Sequence, residues 1–399
     1  MEYMFLLLGL YNLLISCVSS NPVTLNTTDS LQSDVKLIYV QAIWRHGDRA
    51  PHQLPYPNDL NDEKSWPRGW SHLTNVGMKQ IYDLGRFFQQ RYHNYVNEFN
   101  SIDVKVVTSR SERAIVSAQA MLRGFFPIEN SSLQWLKDEK WQPIPFYMEK
   151  IEKNAPLLHS TTHFCPRYNA LMQAEDESNS NMMQEYANFT HFLANITGIG
   201  ENLNFSRLGS LLDIQREIYH NLPQPAWVHQ IWPQYQNMST IEIITKFKLT
   251  SQILKYNTIE KAKLKGGLLL GEILDRFKNV SSNKATEARK MYLYSAHDAT
   301  VCALQYALNV GQNSLVPYAA CLILELYQSE KNETVVKILY KNETESDYAH
   351  ELQVPGCSVP CTLNQLIILT SSTTLHTIKD LNKVTIAMSF SQKQADFIH

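Results

Sequence analysis

The sequence predicts an α/β fold: a mostly parallel sheet flanked by helices, with a largely helical insertion (cap) domain. Apolar, β-rich runs alternate with helical patterns before residue 130 and again after residue 287, which is typical of an α/β sheet. Residues 131–286 show helical patterns and little strand character. We therefore expect the core at 34–130 and 287–370, interrupted by a cap at 131–286.

The chain begins with a short apolar stretch that ends in small residues, which is typical of a secretory signal peptide over residues 1–20. Glu2 and the lack of Lys or Arg in this stretch are unusual for such a signal. The alternative is a buried first helix, and the polar segment that starts at Asn21-Pro22 argues against it. We expect this segment to be removed.

The composition excludes some partners. The 399 residues carry 36 basic and 38 acidic side chains, so a formal net charge of −2 gives no basic field for nucleic acid or an anionic membrane. No later apolar run approaches the length of a membrane span, and Leu366–Leu369 stops at a polar Thr-Ser-Ser stretch. We expect no membrane span in the mature chain, and a C-terminal tail at 371–399.

Acceptor motifs for N-linked glycans support a secreted or lysosomal chain. They occur at nine asparagines: Asn26, Asn130, Asn188, Asn195, Asn204, Asn237, Asn279, Asn332 and Asn342.

The cysteines indicate one local disulfide. Cys17 lies in the predicted signal, and an odd number remains, so one is unpaired or pairs between chains. Glycine and proline around Cys357 and Cys361 favour a disulfide between these two in an oxidising compartment. No second Cys or His pair accompanies them at ligand spacing, so we expect no metal site.

The first strand carries the main motif. Residues 36–44 are β-rich and nearly continuously apolar, as in a strand buried on both faces, and W-R-H-G-D-R-A-P follows from Trp44 to Pro51. Helical spacing of apolar residues then predicts a helix over 78–92. A second strand is predicted at 104–108, followed by another helix.

The strand pattern returns after the predicted cap. Residues 290–295 read as a strand that ends in A-H-D-A-T, with a helix over 301–308. Residues 320–327 and 335–340 predict two adjoining strands. Both chemical clusters thus follow the carboxyl end of a buried strand, the edge where open α/β sheets bind ligands, so they could meet in one crevice.

The first cluster suits anion chemistry. Arg45 and Arg49 present fork-like donors that match the oxygens of phosphate or carboxylate. Between them, His46 can attack phosphorus or shuttle a proton, and the flanking cations should lower its pKa and keep it neutral. Gly47 allows a tight turn, and Asp48 is expected to orient the loop.

The second cluster adds His297, a further donor to the anion, and Asp298. A carboxyl beside bound negative charge should have a raised pKa, so Asp298 is expected to stay protonated and to donate to a leaving alkoxide. A nucleophile, an anion clamp and a general acid are the parts that phosphomonoester hydrolysis requires.

These residues carry a resemblance. Residues 45–51 match the R-H-G-x-R-x-P signature of the histidine acid phosphatases, and 296–300 resemble their His-Asp motif. Segments 66–78 and 352–361 extend the similarity, which is greatest to the prostatic and lysosomal enzymes. The resemblance implies that His46 forms a phosphohistidine, that Arg45 and Arg49 hold phosphoryl oxygens, that His297 assists and that Asp298 protonates the leaving group. It implies no metal or cofactor.

The chain departs from this family at a further arginine. Relatives have a phosphate-binding arginine in a pattern like R-S-T-D-x-D-R, and here the chain reads Val107 to Arg113 as V-T-S-R-S-E-R. An ungapped match puts Val107 at the arginine, whereas a short deletion aligns Arg110, which we favour. Cys165 and Cys321 match positions that form disulfides in the relatives, but the expected partner cysteines are not evident in this chain. The pairing of Cys302 also stays open.

Three functions remain open from the sequence. The leading one is a broad-specificity acid phosphatase of phosphate monoesters. A phytase or other inositol-phosphate phosphatase would need many extra cations, and the neutral composition shows no surplus. The third is a secreted glycoprotein that binds phosphorylated ligands without turnover. A valine at position 107, where the ungapped match puts the arginine of the relatives, is compatible with this function. The relatives suggest a possible homodimer.

Overall fold

The computed structural model describes residues 35–129, 132–149, 158, 165–284 and 288–385. The predicted signal at 1–20, Asn26 and Asn130 lie outside the described residues. The compact unit from Lys36 onward contains the whole architecture given below.

The described residues form ten strands and eleven α-helices. The strands are β1 (Val35–Arg45), β2 (Val104–Thr108), β3 (Tyr147–Met148), β4 (Ile231–Trp232), β5 (Met238–Ser239), β6 (Met291–Ala296), β7 (Cys321–Ser329), β8 (Thr334–Lys341), β9 (His350–Glu351) and β10 (Cys361–Thr362). The helices are α1 (Asn75–Tyr92), α2 (Glu112–Phe125), α3 (Pro166–Gln173), α4 (Asp176–Glu185), α5 (Ala187–Thr197), α6 (Phe205–Ser210), α7 (Ile214–Tyr219), α8 (Thr240–Leu254), α9 (Ile259–Ser281), α10 (Asp298–Ala307) and α11 (Leu363–Leu369).

An eight-stranded sheet forms the centre, with the order β10-β8-β7-β1-β6-β2-β3 and β9 paired to β8. The pairs β1 with β6, β6 with β2, and β2 with β3 are parallel. The pairs that β8 makes with β7, β9 and β10 are antiparallel. The mostly parallel sheet predicted from the alternating pattern is confirmed. The predicted pair of adjoining strands forms β7 and β8, and the short strands β9 and β10, which were not predicted, extend the antiparallel part.

Both faces of β1 are buried, as its sequence predicts. Tyr39 and Ile43 point into one apolar cluster, together with side chains of α9, α10 and α11. Val40 and Trp44 point into a second cluster on the other face, with α1 and α2. The sheet therefore lies between two helical layers, because alternate residues of a strand face opposite sides.

A third apolar cluster belongs to the region predicted as the cap. Phe189, Leu208, Ile244 and Phe247, from α5, α6 and α8, are buried together. Tyr56, from the segment after the first motif, joins them. These side chains form an apolar cluster separate from the two that pack on the central sheet.

Three segments of the predicted 131–286 range differ from a simple helical cap. The strand β3 pairs with β2 in the central sheet. The helical pattern at 208–219 forms α6 and α7 with a 3₁₀ turn at Leu211–Asp213 between them. The helix α9 packs on the central sheet, where Leu270, Ile273 and Phe277 are buried against β1. Its apolar stripe thus belongs to a layer that flanks the sheet.

Part of the predicted tail at 371–399 also packs on the core. Leu375 is buried, its N–H donates to the Gly267 carbonyl in α9 at 3.0 Å, and Thr373 Oγ1 donates to the Ala307 carbonyl at 2.6 Å. Among the described residues, none of the helices combines the length and the apolar character that crossing a membrane requires.

The cysteines pair as predicted at one place. Cys357 and Cys361 form a disulfide. Cys165, Cys302 and Cys321 are free and buried, so three described cysteines are unpaired where the count required only one. Burial raises the pKa of Cys302 to about 12, which keeps its thiol protonated and unreactive.

The loop after β1 touches the start of α1 at backbone distance. A Cβ added to Gly47 would lie 2.1 Å from the Gly77 carbonyl oxygen, and a Cβ added to Gly77 would lie 2.0 Å from the Asp48 carbonyl oxygen. Gly47 is thus required for this close approach, whereas the sequence suggested a tight turn. The two glycines therefore fix the position of the motif relative to the start of α1.

Replacing Gly77 by Ala should therefore destabilise the protein. The added methyl group cannot avoid the Asp48 backbone, and overpacking of this kind costs about 1–3 kcal/mol of unfolding free energy. Gly209→Ala is the matched control, because its Cβ would meet the nearest atom at 3.5 Å. Denaturant unfolding measures both variants, and equal stabilities would contradict the proposed contact.

Candidate active site

Parallel pairing brings the two predicted clusters together. In the register of β1 and β6, Arg45 lies opposite Ala296, and the His46 N–H donates to the Ala296 carbonyl at 3.1 Å. The chain leaves both strands at the same sheet edge. As a result, the rings of His46 and His297 lie 5.5 Å apart between centroids, at 72° to each other.

His46 is oriented by its own loop. Its side chain is buried, and Nδ1 lies 2.8 Å from the Gly47 carbonyl oxygen. A carbonyl can only accept, so Nδ1 carries the proton and Nε2 carries the lone pair. Burial, followed by the charges of Arg45, His297 and Arg113, holds the pKa of His46 well below its usual value against the opposing Gly47 bond. The imidazole is therefore neutral in mildly acidic solution.

Arg45 is fixed on three sides. Its Nη1 donates to the Val316 carbonyl at 2.5 Å, its guanidinium lies 3.9 Å from the ring centre of Tyr318, and Nη2 lies 3.6 Å from Asp298 Oδ2. Cation–π contact and the carboxylate both stabilise the charge. This leaves Nε, which is buried and has no hydrogen-bond partner among the described residues.

Arg49 approaches from the end of the same loop. It is 7% exposed, and Nη1 donates to the Ala50 carbonyl at 2.7 Å. Burial and the nearby charge of Arg216 lower the pKa of Arg49 to about 10, so it remains charged at acidic pH. Its Nε is likewise buried without a hydrogen-bond partner in the described part of the chain.

A third arginine of the same kind is Arg113 and not the favoured Arg110. Arg110 is exposed, and no contact given by the described residues joins it to the cluster. Arg113, in the first turn of α2, is partly buried, and its charge acts on His46, Arg45 and Asp298. Its Nε is also buried and unpartnered within the described ranges.

Val107 cannot contribute to an anion site, and its environment explains why. It is 7% exposed in β2 and packs in the apolar cluster under the sheet edge, near Tyr292 and Tyr294. Positive charge is supplied instead by Arg113, six residues later at the start of α2.

Asp298 begins α10 and is only partly covered, with 40% of its side chain exposed. Burial favours its neutral form, but the charges of Arg45 and Lys248 and the hydrogen bond from the Ala299 N–H outweigh burial and hold the pKa of Asp298 well below its usual range. The sequence-based expectation of a raised pKa is wrong for the ligand-free protein. That expectation counted the charge of a bound anion and omitted the cations that are present without it.

His297 is the cap of α10 and lies 4% exposed in the crevice. Its Nε2 is 2.8 Å from Ser109 Oγ, and the Ser109 N–H donates to the Ser295 carbonyl at 3.0 Å. The hydroxyl at the end of β2 thus orients the ring at the end of β6. Sequence reasoning did not identify Ser109, which no local pattern marks.

Asp48 links the motif to two other elements. Its Oδ2 accepts from Thr74 Oγ1 at 2.6 Å and from His220 Nε2 at 2.6 Å, and its N–H donates to Gln80 Oε1 at 2.9 Å. Thr74 in turn caps α1 by accepting from the Gly77 N–H. Asp48 orients the loop, as the sequence suggested, from the core side and from the helical side at once.

Arg216 was also missed by sequence reasoning. It lies on α7, its Nε donates to the Tyr318 hydroxyl at 2.5 Å, and it forms an ion pair with Asp213. Its charge acts on Arg49 and Arg113. An arginine on a helical face gives no signal until the fold shows which way that face points. Among the described residues, no group of three or more His, Cys, Asp or Glu could hold a metal ion.

The chain is similar to known proteins in sequence and in fold. The family described as "Histidine phosphatase superfamily (branch 2)" matches residues 36–341. Prostatic acid phosphatase of Bos taurus is 34% identical over 345 residues, 84% of each chain. Lysosomal acid phosphatase of Xenopus laevis is 32% identical over 361 residues, 87% of this chain and 81% of the relative.

A solved structure supports the fold alone. The phytase of Klebsiella sp. ASR1 superposes with a TM-score of 0.63 at 16% identity, covering 87% of this chain and 98% of the phytase.

Arg113 is partly buried at the site and Arg110 is exposed three residues earlier, so their alanine variants form a matched comparison. We expect Arg113→Ala to weaken binding of inorganic phosphate by about 10- to 100-fold, the cost of one charge-assisted hydrogen bond. Arg110→Ala should leave phosphate affinity within about twofold, since the side chain is exposed. Isothermal titration calorimetry measures both, and the reverse ranking would restore Arg110 as the third arginine.

Proposed function

Because the chain belongs to the histidine phosphatase superfamily (branch 2), we propose that it is an acid phosphatase that hydrolyses phosphate monoesters to an alcohol and orthophosphate. One observation carries the proposal. Three guanidinium Nε groups, of Arg45, Arg49 and Arg113, are buried without partners among the described residues, and the charge of Arg113 acts on Arg45, on Arg49 and on His46. Buried unpaired donors are costly, and a phosphoryl group would satisfy them.

The first chemical step is transfer to His46. Nε2 forms a bond to phosphorus while the ester P–O bond breaks, which gives a phosphohistidine and an alkoxide leaving group. The Gly47 carbonyl keeps the Nδ1 proton in place and stabilises the positive charge that develops on the ring. The arginines stabilise the phosphoryl oxygens, and His297 assists from the other side.

Asp298 protonates the leaving oxygen in the same step. Water then attacks the phosphohistidine and returns a proton to Asp298, which releases orthophosphate. In the ligand-free protein Asp298 is ionised, so its first proton has to be supplied. A phosphate monoester has a second pKa of about 6, so its monoanion carries this proton into the site in acidic solution. Transfer from the ester to Asp298 leaves the dianion among the arginines.

A secretory location supports the same function. Six described acceptor asparagines are exposed, and Asn342 is half-buried; the six are Asn188, Asn195, Asn204, Asn237, Asn279 and Asn332. Together with the Cys357–Cys361 disulfide and relatives named prostatic and lysosomal acid phosphatase, these sites support a glycosylated protein in the lysosome or outside the cell.

A second candidate is an inositol-phosphate phosphatase, and one observation favours it. The neutral composition hides a local surplus of cations, because Lys248 and Lys255 act on Asp298 from α8 and its C-terminal end. Arg216 adds to this surplus. Comparing kcat/KM on phytate and on p-nitrophenyl phosphate decides between the two substrate classes.

The nucleophile is tested by removing it. His46→Ala should lower kcat on p-nitrophenyl phosphate by at least about 10³-fold, and Asp298→Asn by about 10²–10⁴-fold. A radiolabelled ester quenched in base should leave phosphate on His46, since phosphohistidine is labile in acid. Label on a serine would refute the assignment, and activity in neither protein would favour a binding glycoprotein.

The pH dependence follows from these charges. The pKa of His46 is depressed, so the nucleophile stays neutral well into the acidic range, whereas the ester loses its proton above about pH 6. We expect kcat/KM to peak below neutrality and to fall as the pH rises through the second pKa of the substrate. A profile that peaks above neutrality would contradict the proton source.

A further inference from the structure

Two buried carboxyl groups lie together between the segment after the first motif and α7. Asp59 is 8% exposed and Glu217 is fully buried. Asp59 Oδ1 accepts from the Asn61 N–H at 3.0 Å, and Glu217 Oε2 accepts from Asn61 Nδ2 and Gln224 Nε2, both at 2.9 Å. Each carboxyl is therefore oriented through one of its oxygens.

The other oxygen of each group has no protein donor within the described residues. These atoms, Asp59 Oδ2 and Glu217 Oε1, are buried, and Asn61 joins the two carboxyls, because its N–H binds Asp59 and its Nδ2 binds Glu217. Two ionised carboxylates could not satisfy these oxygens, because each would only accept. One proton between them satisfies both oxygens.

The surroundings supply no counter-charge for a second negative charge. Tyr56 faces both carboxyls, and Asn61 and Gln224 are neutral amides. Arg216 precedes Glu217, but its guanidinium binds Asp213 and the Tyr318 hydroxyl. No contact in the described part of the chain brings a cation to either carboxyl.

This pair holds the helix that contributes to the active site. Glu217 lies between Arg216, whose charge acts on Arg49, and His220, which binds Asp48. The Glu217 carbonyl accepts from the N–H groups of His220 and Leu222, so the turn that ends α7 moves with it.

We propose that Asp59 and Glu217 share one proton in the working enzyme, and that this proton positions Arg216 and His220 at the anion site. Both carboxyls act through these neighbours and do not touch the substrate. Loss of the proton places two negative charges in a buried site, which separates α7 from the segment that carries Asp59. The effect on activity rests on the proposed hydrolysis, whereas the effect on stability does not.

The sign of the stability effect is fixed by the direction of the shift. Burial and the neighbouring Asp59 raise the pKa of Glu217 to about 7, against the hydrogen bonds from Gln224 and Asn61 that lower it. The folded-state pKa lies above the unfolded value of about 4.5, so below pH 4.5 the carboxyl is protonated in both states and does not reduce the free energy of unfolding. The folded state then loses stability as the pH rises to about 7.

Glu217→Gln separates the proton from the packing. The amide oxygen can accept from Asn61 and Gln224, and the amide NH₂ can donate to Asp59 as the shared proton does. Because this group does not titrate, the variant should lose the fall in Tm between about pH 5 and pH 8 that the pair causes in the wild type. Glu201→Gln, at an exposed carboxyl, is the control and should follow the wild type.

Three measurements on the full chain decide the proposal: the Tm profile described above, infrared difference spectra and kcat/KM. Infrared difference spectra between about pH 5 and pH 8 should show a protonated-carboxyl band that disappears in the wild type and is missing in Glu217→Gln. The ratio of kcat/KM of Glu217→Gln to wild type should rise about tenfold over this range, mainly through KM.

Superimposable Tm profiles, or no band in the wild type, would overturn the shared proton. If the ratio of kcat/KM values does not change with pH while the Tm and infrared results are as expected, only the positioning of Arg216 and His220 would be overturned. If Glu217→Gln does not fold, Asp59→Asn serves the same test, because its amide can donate to Glu217.

Discussion

The active site depends on positive charge held at one sheet edge against its own repulsion. Arg113 is repelled by Arg45, Arg49 and Arg216, and burial with this repulsion lowers the pKa values of Arg49 and Arg113. Asp298 and the Tyr318 ring offset part of the repulsion. A bound phosphoryl group relieves the rest, so the free enzyme holds unfavourable electrostatic energy that substrate binding releases.

Such a cluster requires a rigid support, which the motif obtains from both helical regions. Gly47 and Gly77 place the loop directly on the start of α1, where any side chain would clash. Asp48 then joins this contact to α7, since one carboxylate oxygen accepts from Thr74 and from His220. The loop that carries the nucleophile is therefore positioned by the sheet, by a core helix and by a helix of the inserted region together.

The sequence was sufficient where chemistry follows directly from local pattern. The buried runs of β1 and β6 predicted two strand ends at one edge, and the structure places His46 and His297 there. It was insufficient for Arg216, which reaches the site from a helix face, whereas Arg113 falls on the last arginine of the R-S-T-D-x-D-R pattern in the ungapped match. The orientation of a helix face is set by packing, which no local spacing reveals. The same reason explains α9, whose apolar stripe gave no indication of whether it faced the sheet or the cap.

The protonation state of Asp298 depends on whether an anion is bound. The sequence-based expectation considers the bound anion, which favours a protonated acid. In the ligand-free protein, Arg45, Lys248 and the Ala299 N–H act on Asp298, and the acid is ionised. Both fields are real, and they act in different states of the enzyme. Binding of a phosphate ester adds negative charge beside Asp298 and raises its proton affinity, so the general acid becomes competent only with substrate present. Acidic conditions then favour the reaction through the substrate, because the monoanion brings the proton that the resting site does not hold.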